Sequence, residues 1–125
     1  TDIVPGSPED IVVKADDAVR RAEASKLAAD IAAARRAVSL LPDSPLKTSA
    51  ALRLEAAAIG RLQELLSQFA ERGLIDNKGI AGSLSAKLEQ GNLKAFANEA
   101  SAQRGKHISV DAADVLLELA EAMRE

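Results

Sequence analysis

The sequence predicts an all-α fold, an up-down antiparallel bundle of five or six helices. Three observations predict it. Apolar residues recur at the helical period along nearly the whole 125-residue chain. No segment shows the sustained apolar/polar alternation, rich in Val, Ile, Thr and aromatics, that marks a strand. The breaks between periodic segments are short and carry Pro, Gly, Ser and Asn. Those residues stop and start helices, and short connections favour antiparallel neighbours.

The first helix enters through "SPED". Ser7 is a cap, Pro8 suits the first helical position, and Glu9 and Asp10 favour the positive helix end. Ile11, Ala15, Ala18, Val19 and Ala22 share one face. The pattern loosens at Ser25 and Lys26. A second helix follows, with Leu27, Ile31, Ala34, Val38 and Leu41 on its inner side, and Pro42 ends it. "PDSP" is a turn and a new start, with Ser44 as cap and Pro45 in the first position. The third helix is long, Pro45 to Arg72. Leu54, Ala58, Leu62, Leu65 and Phe69 form one seam; Leu52, Ile59 and Leu66 form a second beside it. Two seams predict neighbours on two sides, with Gly60 at a close crossing.

Gly73 stops the third helix as a C-cap glycine. Leu74 and Ile75 are expected to tuck inward, and Asp76 or Asn77 caps the fourth helix, whose face is Ile80, Leu84 and Leu88. The apolar phase slips at "QGN", residues 90–92, and resumes at Leu93, Phe96 and Ala100. Without a proline or a long loop, a nearly continuous helix bent at Gly91 is favoured over two short ones. Gly105 ends that element. Ser109 caps the last helix, with Asp111 in its first turn and Val115, Leu116, Leu119 and Met123 as its apolar surface.

The domain organisation expected is a linker at 1–7, then a single helical domain at 8–125, divided into N-terminal helices (8–60) and a second part (61–125). The opening "TDIVPGSPED" has the composition of a linker and suggests a piece of a longer protein. The net charge is −3, with both signs mixed along the chain. No concentrated basic footprint marks a nucleic-acid partner, and no apolar run reaches the roughly 20 residues of a membrane span. There is no cysteine, which excludes disulfides and thiolate metal sites.

The one cluster that stands out is "AQRGKHIS", residues 102–109, which holds the only histidine. Helix punctuation explains most of it. Gly105 sits where a left-handed terminator belongs, Arg104 suits a helix C-terminus, and Ile108 can staple back from in front of the Ser109 cap. "DNKG", residues 76–79, lacks the alternating acids and distal Glu of a calcium loop. Asp16/Asp17 and Glu118/Glu121 are solvated faces. Arg20/Arg21 and Arg35/Arg36 are offset by Asp16, Asp17, Glu23 and Asp30. No nucleophile elbow, phosphate-binding glycine loop or HExxH occurs. No catalytic, cofactor-binding or metal-binding residue is assigned and no cofactor is expected. The candidate surface contacts are Asn77, Lys78, Gln103, Arg104, Lys106 and His107.

The run from Gly73 to Met123 resembles the FIMAH domain, a helical module of multidomain secreted bacterial proteins, including carbohydrate-active enzymes and proteases. The matching stretches are Gly73–Gly79, Ser83–Leu88, Gly91–Asn92, Ala95–Glu99, Ala102–Ile108 and Ala113–Leu116. The upstream helices are similar to segments found between domains of such proteins. One departure is the short "EQGNLK" between the "KL" and "AF-x-N-E" motifs, which favours a fused fourth helix. The resemblance carries no catalytic residue. It implies an extracellular or cell-surface location and neighbouring domains of the same parent chain as partners.

The function expected is therefore a non-catalytic accessory module, a spacer or docking domain beside a polysaccharide-active catalytic domain. The alternatives are a carbohydrate- or cell-wall-binding module and a helical protein–protein adaptor. The absence of Trp and Tyr, with Phe69 and Phe96 expected in the interior, leaves any glycan site to polar side chains.

Overall fold

The computed structural model describes residues 6–123; most of the linker expected at 1–7 lies outside them. The chain is an all-α helical bundle. Among the described residues it forms α1 (Pro8–Ser25), α2 (Ala28–Ser39), α3 (Pro45–Glu71), α4 (Lys78–Glu89), α5 (Leu93–Gln103) and α6 (Val110–Ala122). It divides into two compact units, with the boundary between Ala57 and Ala58 inside α3.

In the first unit each turn is written in local chemistry. Ser7 Oγ accepts from the Asp10 N–H at 3.2 Å, and the Asp10 carboxylate accepts from the Gly6 N–H at 2.9 Å. This reciprocal arrangement satisfies donors that a helix start leaves open. Lys26 ends α1 in the left-handed region (φ 56°), its N–H bonded to the Ala22 carbonyl. Only Lys26 and Leu27 separate α1 from α2, and the two helices pack together, so the chain reverses into an antiparallel hairpin. Ser44 Oγ accepts from the Lys47 N–H at 3.2 Å and starts α3. Ala15, Val19, Ala22, Ile31, Ala34, Val38, Leu41, Ala50 and Leu54 are the buried apolar residues of this unit. Burying a Val, Leu or Ile side chain contributes about 1.5–3 kcal/mol. Arg53 ties α3 to α1, reaching Glu23 at 2.6 Å and Asp16 at 3.2 Å. These carboxylates, Glu23 first, raise its already high pKa. Asp16 also holds Arg20 at 3.0 Å, so it is more than a solvated carboxylate.

The second unit is built on Leu62, Leu65, Leu66, Ile75, Leu84, Leu88, Phe96, Ile108, Leu116 and Leu119, all buried. α3 closes at Gly73 (φ 75°). The Leu74 N–H bonds to the Phe69 carbonyl and the Gly73 N–H to that of Ala70, a Schellman stop. α5 packs against α4 and α6.

The continuous fourth helix expected through Gly91 is not formed. Gly91 adopts φ 71°. The Asn92 N–H bonds to the Lys87 carbonyl at 2.9 Å and the Gly91 N–H to the Leu88 carbonyl at 3.0 Å. That is a second Schellman stop. Asn92 Oδ1 then accepts from the Ala95 N–H at 3.1 Å and starts α5. Two residues thus end one helix and begin the next, and the helix count is six among the described residues.

Other expectations need correcting. Leu27 is the N-cap position of α2 and stands 61% exposed, outside the inner face. Leu52 is 60% exposed, so the second seam of α3 is not covered along its length. Leu74 faces out while Ile75 faces in, and Phe69 is half-buried. A Cβ at Gly60 would meet nothing within 4 Å, so Gly60 marks no close crossing.

Candidate functional site

The α3–α4 and α5–α6 connections lie side by side in the second unit. Arg104 (φ −58°, ψ 122°) and Gly105 (φ 77°) occupy the central positions of a turn closed by the Lys106 N–H to the Gln103 carbonyl at 2.9 Å. These angles fit a type II turn, which calls for glycine at its third position. Gly105 is left-handed as expected, but it serves this turn and not a cap on the helix itself. The Ile108 N–H also bonds to the Gln103 carbonyl, and the Gly105 N–H bonds back to the Ile108 carbonyl.

Ile108 then pairs with Ile75. The Asp76 N–H donates to the His107 carbonyl and the Ser109 N–H to the Leu74 carbonyl, both at 2.9 Å. Both isoleucines are buried, so this short antiparallel bridge has an apolar inner side and a polar outer side. On the outer side His107 Nδ1 lies 2.8 Å from Asp76 Oδ1, both side chains being half or more exposed. Beside Asp76 is a surface groove of about 510 Å³, lined by Ala70, Gly73, Ile75 and Ala81 with Glu71, Asp76 and Lys78.

The six candidate residues do not act as one group. Asn77 is consumed as the cap of α4, its Oδ1 accepting from the Ile80 N–H at 3.2 Å. Lys78 opens α4 and lines the groove. Lys106 stands exposed on the turn, and His107 turns to Asp76. Gln103 ends α5 with its side-chain Oε1 buried and unbonded by protein. Arg104 is drawn away to α6, where its Nε and an Nη donate to the two oxygens of Asp114 at 2.7 and 3.2 Å. The hydrogen-bonded guanidinium holds the Asp114 carboxyl below the ordinary carboxylate value, and Asp114 raises Arg104 in turn.

Polar partnerships between separate elements had no signal in the sequence. Lys87 Nζ reaches Glu99 at 3.0 Å and Ser83 Oγ at 2.8 Å, joining α4 to α5. The pairings of Asp76 with His107 and of Asp114 with Arg104 likewise join residues on different segments of the chain. No local period relates Lys87 to Glu99, Asp76 to His107 or Arg104 to Asp114, because each pair exists only after the helices fold back, whereas Ser83 and Lys87 are spaced i, i+4 within α4. Among the described residues, no group of three or more His, Asp or Glu side chains is placed to hold a metal ion, and no helix is long and apolar enough to cross a membrane.

Comparison of the chain with protein-family models, with curated proteins and with solved structures gives no match. The residues of the motif stretches quoted from the sequence are spent largely on the fold itself. Asn77 and Asn92 cap helices, Gly91 and Gly105 make turns, and Leu84, Leu88, Phe96 and Ile108 fill the core. Ser83, Lys87 and Glu99 tie two helices together.

Proposed function

We propose that this chain is a non-catalytic, FIMAH-type accessory module of a secreted multidomain bacterial protein. In that role it is a helical spacer or docking domain, with neighbouring domains of its parent chain as partners and a polysaccharide-active enzyme as the parent. The observation that carries this reading is α3, a single uninterrupted helix of 27 residues that contributes to both compact units. A helix satisfies its own backbone groups internally, so such an element keeps its helical form without help from a ligand. The use of the motif residues for caps, turns and helix ties supports the same role.

A second reading, a carbohydrate- or cell-wall-binding module, is favoured by one observation. Asp76 and Lys78 line a groove at the connection edge, His107 reaches Asp76, and Lys106 precedes His107 in the chain. Affinity electrophoresis across a panel of soluble polysaccharides, with a cell-wall pulldown, separates the two. The spacer reading expects migration unaffected by every polysaccharide and no cell-wall capture. Specific retention that disappears in a Lys78→Ala, Lys106→Ala, His107→Ala variant would overturn it and make the groove edge a glycan site.

A further inference from the structure

We draw no further inference here: the strongest candidate, the apolar groove between α1 and the start of α3 lined by Val12, Leu46 and Ala50, carries nothing because nothing in the structure shows what covers it.

Discussion

Gly60 lies within a long helix with open space where a side chain would stand. Glycine there leaves the unfolded chain more freedom to lose, and it costs about 1 kcal/mol relative to alanine in a helix interior. With no neighbour to clash against, Gly60→Ala is expected to stabilise the protein by about 1 kcal/mol, raising Tm by roughly 4 °C in a chain of this size. Thermal unfolding followed by circular dichroism measures it; a lower Tm would mean that the glycine serves a contact or bend absent from this structure. The residue scale is also where sequence reading works best and worst. Ser7, Ser44 and Ser109 are legible as caps, and the cap of α4 is legible to within Asp76 or Asn77, because a cap is decided within a few residues of chain. Leu27, Leu52 and Leu74 lie exposed against the sequence expectation, because whether a leucine is covered depends on what packs beside it and not on its own period.

At the scale of the element, the break between α4 and α5 was hidden by its brevity. Glycine at 91 and asparagine at 92 occupy adjacent stop and start positions, so the apolar period slips without an obvious loop. The two roles are separable. Gly91→Ala forces a left-handed backbone on a residue with a Cβ, at about 1–2 kcal/mol, and Asn92→Ala removes a cap worth about 1 kcal/mol. Urea unfolding should show both losses, with the midpoint moving and the slope unchanged. If Gly91→Ala is neutral, the positive φ at that position is wrong. The tie across the same hairpin is tested by a double-mutant cycle. Lys87 and Glu99 are partly buried, and their coupling should be about 1 kcal/mol, above the usual value for fully exposed pairs. A coupling indistinguishable from zero would reduce Ser83, Lys87 and Glu99 to surface decoration.

For the whole molecule, near-balanced charge makes acid the informative stress. The Asp10 carboxyl is held below its ordinary value of 3.8 by the Gly6 N–H first and then by Lys14, and the Asp114 carboxyl by Arg104. A carboxyl whose folded pKa lies below its unfolded one contributes stability that is fully present above the unfolded value. That contribution fades as pH falls through the folded value. Tm is therefore expected to stay flat on the acidic side of neutrality and to fall from about pH 4 downward as the native carboxylates take up protons. Asp114→Asn should lower Tm at about pH 6 and converge with the unsubstituted chain near pH 2, because the ion pair has then been lost from both. A difference that persists undiminished at the acid end would show that Asp114 acts through packing and not through its charge. Its partner Arg104 leads the turn that carries Lys106 and His107, so the same substitution tests how far the groove edge depends on α6 for its shape. If the edge is held by its own backbone bridge between Ile75 and Ile108, the amide protons of Asp76 and Ser109 will stay protected from exchange in Asp114→Asn at neutral pH. Loss of that protection would make the ion pair, and not the bridge, the support of the connection edge.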